Sequence, residues 1–245
     1  MSMFKRAMLV AALAMSGASA QAAQVTVFSQ DFEGAAGTTL ITYGGGVAGT
    51  QGFAALGFGG NFMHVTGSGS AGYAYMNLSG LPTHDAISVD FLLAIIGPWD
   101  GAEVPDFFEV QVDGVSVYRN AYCNLDGSAL CDPTSVATPS VTGRNLSEPT
   151  GDGLKELGFG TGALSSAWDM SAVGTLRNIA HTGSTADILF QAFGSGYQGY
   201  GEESYAIDNV IISVRTADVP LPAAAPLLLA GLAGLAGLAV LRRRR

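Results

Sequence analysis

The chain is short of positive charge, histidine and cysteine. Of 245 residues only 11 are Lys or Arg and three are His, against 20 Asp or Glu. Six of the 11 lie near the ends, as Lys5, Arg6 and Arg242 to Arg245. Five basic residues then face 20 acidic ones, a net charge near −15. Such a body excludes nucleic acid and anionic membrane surfaces as partners, because their phosphates must be met by Lys and Arg. His64, His84 and His181 are far apart in sequence, and neither a His-Glu-x-x-His nor a Gly-x-Ser-x-Gly run occurs. The helical metalloprotease site and the strained hydrolase elbow are therefore absent. A pair of cysteines without a neighbouring histidine makes a poor zinc site. The sequence predicts no enzyme.

Long apolar runs are confined to the ends. Residues 223–241 are uncharged and lack strongly polar side chains, a run of 19. A bilayer-crossing helix needs roughly 20 such residues, and only a closed hydrogen-bonding form is tolerated there. The four terminal arginines stay cytoplasmic under the positive-inside rule, which places the body outside. At the other end Lys5 and Arg6 precede the apolar stretch Ala7 to Met15. Small-x-small cleavage candidates follow at Ala18-Ser19-Ala20 and Ala20-Gln21-Ala22. Residues 1–23 read as a secretory signal peptide, a substrate of signal peptidase and the secretion machinery.

Ahead of the terminal run stands Val219-Pro220-Leu221-Pro222-Ala223. This motif, the apolar span and the cluster Arg242, Arg243, Arg244, Arg245 together resemble the VPLPA-CTERM type of PEP-CTERM sorting signal. The resemblance covers about a tenth of the chain, residues 218–245. It implies an exosortase substrate in a Gram-negative bacterium: an inner-membrane-anchored precursor, later at the cell surface or in the extracellular matrix. The paired prolines keep the motif extended and accessible, because each fixes φ and removes a backbone donor.

The body, residues 24–217, reads as one all-β domain, an antiparallel jelly-roll β-sandwich, with no amphipathic helix. Strand patterns appear at Val25–Phe28, Phe62–Val65, Tyr73–Leu78, Ala86–Ile96, Phe107–Asp113, Val115–Tyr118, Ile188–Phe193 and Tyr205–Val214. In the long central run Ile87, Val89, Phe91, Leu93 and Ile95 share a face. Phe108, Val110 and Val112 oppose Glu109, Gln111 and Asp113, and Asp113-Gly114 marks a hairpin turn. Residues 123–161 read as a long loop. An exported Cys123–Cys131 pair forms a disulfide at its start, worth ~2–3 kcal/mol by loop entropy.

Three acidic clusters punctuate the strands: Asp31-Phe32-Glu33, Asp100 with Asp106, and Asp208. Strand alternation puts Asp208 on the face of Val210, Ile212 and Val214, where a carboxylate is costly unless bonded. First and last strands of a sandwich often become neighbours, so Asp31, Glu33 and Asp208 suit a structural Ca²⁺. The competing reading leaves them solvated at turns. Trp99, Trp168, Tyr197, Tyr200 and Tyr205 are candidates for stacking on sugars; Trp99, Tyr197 and Tyr200 are the foremost. The competing reading packs both tryptophans in the core and makes residues 194–201 a plain connection.

Phe28 to Gly34 and Tyr205 to Val210 look like the two ends of concanavalin A-like or MAM-like jelly rolls. That resemblance implies first-strand acids and a last-strand Asp as calcium ligands. The Glu-x-Asp-x-x-Glu spacing of sandwich glycosidases is missing, since Gln111 follows Glu109 at that position. The expectation is a structural or adhesive surface protein, with surface polysaccharide as a partner. The alternative is a carbohydrate-binding module or a glycan-active hydrolase. The tail is open to direct test. With a tagged body, replacing Pro220 and Pro222 by Ala is expected to leave the chain membrane-bound in fractionation; unchanged release would refute processing at the motif.

Overall fold

Period-two alternation becomes two antiparallel sheets, each giving one apolar face to a shared core. The computed structural model describes residues 22–34, 41–67, 72–101, 104–124, 144–146, 157–159, 165–199 and 202–216. Ala23–Ala217 forms a compact unit of its own. Outside the described residues lie almost all of the signal peptide, the sorting motif and terminal arginines, Cys131, Tyr200 and most of loop 123–161. Among the described residues no helix is long and apolar enough to cross a membrane; the run 223–241 is not among them.

The first sheet holds eight strands: β1 (Gln24–Gln30), β3 (Gly45–Gly49), β4 (Asn61–Val65), β6 (Ala86–Ile96), β9 (Arg144–Asn145), β10 (Ser165–Asp169), β11 (Ile179–Ala180) and β13 (Ser204–Arg215). The second holds five, ordered β2 (Ile41–Tyr43), β5 (Tyr73–Ser79), β12 (Thr185–Phe193), β7 (Phe107–Val112) and β8 (Val115–Ala121). The first and last strands do pair, from Gln24 opposite Arg215 to Gln30 opposite Val210. Helical structure among the described residues is limited to 3₁₀ turns such as Gln51–Leu56.

Between the sheets, Ile87, Val89, Phe91, Leu93 and Ile95 of β6 meet Met76, Phe108, Val110, Ile188 and Phe190 of the second sheet. The other face of β6 is covered too. Ala94 and Ile96 join Phe53, Phe58, Phe62, Ala167 and Ala206 in a second apolar cluster. Burial on both sides explains why β6 reads as a near-continuous apolar run. At the β7–β8 hairpin, Asp113 and Gly114 take φ of 51° and 75°, the left-handed pair that a tight I′ turn demands.

Strand β13 departs from simple alternation. Tyr205 and Ile207 face the main core, and then Val210, Ile212 and Val214 do. The inward parity flips between Ile207 and Val210, where pairing with β6 shifts register and Asn209 adopts φ 49°. This is a β-bulge, and it re-aims the neighbouring side chain. Asp208 therefore does not share the face of Val210, Ile212 and Val214, as plain alternation requires. It lies on the side of Ala206 and bonds the backbone at Gly59.

Strands β2, β3, β9, β10 and β11 carry no clear pattern in sequence. Three of the five residues of β3 are glycines, so no side-chain alternation is available to betray it.

Candidate functional site

The outward face of the second sheet is polar and aromatic rather than merely polar. Because Ala74, Met76 and Leu78 point inward from β5, period two sends Tyr73, Tyr75 and Asn77 outward. Register then assembles a row across all five strands. Tyr43 opposes Tyr73, Tyr73 opposes Gln191, Gln191 opposes Glu109, and Glu109 opposes Arg119. The rings of Tyr43 and Tyr73 stack with centroids 4.8 Å apart, and Tyr43 is 58% exposed.

Polar groups along this row are held by one another. Glu109 accepts from Gln111 Nε2 at 2.8 Å and from Gln191 Nε2. Burial pushes the Glu109 carboxyl up, but hydrogen bonds from Ser116, Gln111 and Gln191 and the charge of Arg119 outweigh it and hold it below its ordinary range. Arg119 lies over the rings of Phe107 and Phe193, 4.3 and 4.5 Å from their centroids. Beside the row, Asp187 accepts from Tyr75 Oη at 2.6 Å and from Asn77 Nδ2. Those two bonds, Tyr75 first, hold the Asp187 carboxyl low. Fixed amide, carboxylate and guanidinium groups beside stacked rings are the groups that recognise hydroxyls around a flat apolar ring face.

The predicted calcium ligands come near one another through the segment Phe58 to Asn61. Asp208 is fully buried; Oδ2 accepts from Gly59 N at 2.8 Å and Oδ1 from Asn209 N at 2.7 Å. Glu33 Oε1 accepts from Asn61 N at 2.9 Å. Gly59 makes this approach possible, since a Cβ there would stand 2.0 Å from Glu33 Oε1. Asp31 Oδ1 accepts from Glu33 N. Burial pushes Asp208 up to about 6; its two amide bonds oppose the shift, and the charges of Glu33 and Asp31 add to it.

Among the described residues, three acids meet metal-ligand spacing elsewhere. One oxygen each from Asp100, Asp106 and Glu203 lies within 4.8 Å of the others. Sequence singled out Asp100 and Asp106 but not Glu203, and nothing in the spacing joins residues so far apart in the chain.

The aromatic candidates read from sequence fall largely in the core, which corrects their assignment to a glycan. Trp99 is fully buried and donates to Ile96 O and Ser204 O. Tyr197 is 4% exposed and packs edge-on against Trp99. Tyr205 is fully buried and donates to Phe190 O. Trp168 is half-buried against Tyr122. None of the buried rings offers a face to a sugar. Tyr200 lies outside the described residues. Cys123 is disulfide-bonded; its expected partner Cys131 is outside the described residues, and the pairing is a proposal. The histidines also regroup: His84 and His181 stack, with Nε2 to Nδ1 at 2.6 Å, and His181 Nε2 lies 3.1 Å from Asp113.

No protein-family model matches the chain, and no curated protein matches it. Several solved structures are similar at a distance. The CBM22-1 xylan-binding domain of Paenibacillus barcinonensis Xyn10C has TM-score 0.36 and 11% identity, over 80% of this chain and 98% of that one. An adhesin domain of Lys-gingipain from Porphyromonas gingivalis has TM-score 0.35 and 11% identity, over 78% and 99%. The catalytic domain of a GH87 α-1,3-glucanase in complex with nigerose has TM-score 0.31 and 14% identity, over 83% and 30%. At these scores and identities the similarities define neither ligand nor reaction for this chain.

The raised Asp208 carboxyl sets a pH dependence. Its folded value of about 6 exceeds that of an unfolded aspartate near 4, so the folded state binds the extra proton. The stability it contributes is fully present below about pH 4 and is lost as pH rises through about 6. In chelator, denaturant titrations from pH 4 to 7 are expected to show a smaller fall in stability for Asp208→Asn than for wild type. Identical slopes would show that Asp208 is not desolvated.

Proposed function

We propose that the chain is an exported surface or matrix protein whose sandwich adheres to polysaccharide through the outward face of its second sheet. The observation that carries this reading is the row Tyr43, Tyr73, Gln191, Glu109 and Arg119. It runs across the strands, so an extended chain of sugar rings can lie along it. The stacked tyrosines supply an apolar platform, and Gln191 and Arg119 meet hydroxyls, while buried Glu109 holds the Gln191 amide in place beneath them. The body's negative charge favours a neutral glycan over a polyanion. Delivery by an exosortase-type enzyme belongs to the same proposal, as does a structural Ca²⁺ at Asp31, Glu33 and Asp208. The jelly-roll wrapping of the strands and the anchored-precursor route to the surface of a Gram-negative cell are its remaining parts.

Adhesion fits better than hydrolysis. A glycosidase needs one carboxyl raised enough to protonate the leaving oxygen. On this face Glu109 and Asp187 are both held low by their hydrogen-bond donors. Neither is a proton donor: Glu109 is buried and anchors its neighbours' amides, and Asp187 is an acceptor.

A glycan array probed with the full chain tests the reading. Binding to a neutral polysaccharide is expected, and Tyr43→Ala is expected to weaken it. One aromatic contact worth about 0.5–1.5 kcal/mol corresponds to roughly two- to twelvefold in Kd. A blank array, or binding untouched by Tyr43→Ala and Gln191→Ala, would remove the glycan face from the account.

A further inference from the structure

The loops at one end of the sandwich converge three carboxylates. Asp100 follows Trp99 just past β6, Asp106 immediately precedes β7, and Glu203 immediately precedes β13. Asp106 and Glu203 are fully buried, and Asp100 is half-buried. Each buried acid has one oxygen committed to the backbone. Asp106 Oδ2 accepts from Asp100 N, and Glu203 Oε2 accepts from Gln198 N at 2.6 Å. The other oxygens, Asp106 Oδ1 and Glu203 Oε1, are buried and accept from no N–H or O–H donor; the two carboxyls lie close enough to bond each other only through a shared proton. The Tyr197 hydroxyl is buried and unpartnered as well. Among the described residues none of the three acids is ion-paired to Lys, Arg or His.

Orphaned buried carboxylate oxygens are expensive, and native structures leave few of them. Two such atoms beside a third carboxylate, with one oxygen from each acid inside 4.8 Å, call for a positive group between them. The space is kept open by the backbone. A Cβ on Gly196 would stand 2.7 Å from Asp106 Oδ1 and 2.6 Å from the Val104 carbonyl oxygen. The frame is firm: Asp106 N donates to Gly101 O, Tyr122 N donates to Asp106 O, and Asp100 bridges to Cys123.

We propose that Asp100, Asp106 and Glu203 bind a divalent cation of the Ca²⁺ class. The donors are all hard oxygens, which suits Ca²⁺ and not zinc or copper. Half-buried Asp100 gives the ion its way in and leaves room for water ligands. The buried pair is too enclosed to reach a substrate, so the site is structural. The ion ties the loops before β7 and β13 to the end of β6, beneath the Trp99–Tyr197 contact. This site is separate from the acids around Asp208 and independent of glycan binding.

The test uses the metal-stripped full chain, with Ca²⁺ as the ligand and Tb³⁺ as a luminescent substitute excited through tryptophan. Ca²⁺ at about 100-fold above its Kd is expected to raise the melting midpoint by about 5–10 °C. Glu203→Gln and Asp106→Asn are expected to abolish the Tb³⁺ signal sensitised by the adjacent Trp99 and to remove this site's share of the rise, while Asp208→Asn, at the other cluster, keeps the Trp99-sensitised signal. Asp100→Asn, at the half-buried ligand, carries the test if the buried variants fail to fold; it is expected to weaken Ca²⁺ by about tenfold or more. A midpoint indifferent to Ca²⁺ would overturn the proposal, and so would a midpoint that merely climbs on acidification, the mark of two acids sharing a proton. A calcium response lost in Asp208→Asn but kept in Glu203→Gln would place the ion at the other cluster and overturn it too.

Discussion

The pairing of β6 with β13 is the constraint on which the rest of the molecule depends. It runs from Ser204 opposite Ile96 to Arg215 opposite Ala86, and both strands are buried on much of their length. Their inward residues face the second sheet, and their outward residues at one end support the cluster around Phe53 and Phe62. β13 also pairs with β1 along one half and with β4 along the other, so the side of the first sheet away from β6 is built on it. Apolar burial of this kind contributes about 25 cal/mol per Å², and Ile87, Val89, Phe91, Leu93 and Ile95 of β6 with Tyr205, Ile207, Val210, Ile212 and Val214 of β13 all belong to the main core.

The same pairing sets the chemistry. Its register break at Asn209 turns Asp208 out of the main core and against the Gly59 amide. Its starting point places Glu203 beside Asp106 and Asp100, where β6 has just ended. Two carboxylate clusters thus each take one member, Glu203 and Asp208, from the residue before β13 and from β13 itself, in a molecule with few basic side chains. Neither can be neutralised by lysine or arginine in bulk. Backbone amides satisfy the first, and the second retains two orphaned oxygens. The outward face of the second sheet is electrically quieter. Its carboxylates are held by side-chain donors, Glu109 by Gln111 of its own strand and Gln191 of β12, and Asp187 by Tyr75 and Asn77 of β5.

Much of the fold was legible because buried alternation leaves a clear trace. The bounds of β6 follow from its apolar run, and the β7–β8 hairpin from Asp113-Gly114. What failed to show has identifiable causes. A bulge consumes one residue, so parity read straight through Asp208 gives the wrong face. Asn209, a residue that tolerates left-handed φ, was the available hint. Glycine-rich β3 has no side chains to alternate. Tyr197 looked like a ligand contact because it stands among the glycines of residues 194–201, yet Gly194 and Gly196 serve close backbone approach to Pro105 and Val104 beside a buried ring pair. The tyrosine face was within reach of sequence: Tyr73-Ala74-Tyr75-Met76-Asn77 alternates cleanly, and a small or apolar residue between tyrosines points them outward. The meeting of Glu203 with Asp100 and Asp106 was not, because it depends on two loops about a hundred residues apart.

One strand, β13, organises both the core and the acidic sites through its bulged pairing with β6. Hydrogen exchange on the full chain, resolved by residue, tests it most directly. Amides of β6 and β13 on both sides of Asn209 should exchange only with global unfolding, and more slowly than those of β2, β3 and β8. Exchange of the Ser204–Asp208 half at the rate of the sheet edges would show that the two halves of β13 are independent, and the account would fail.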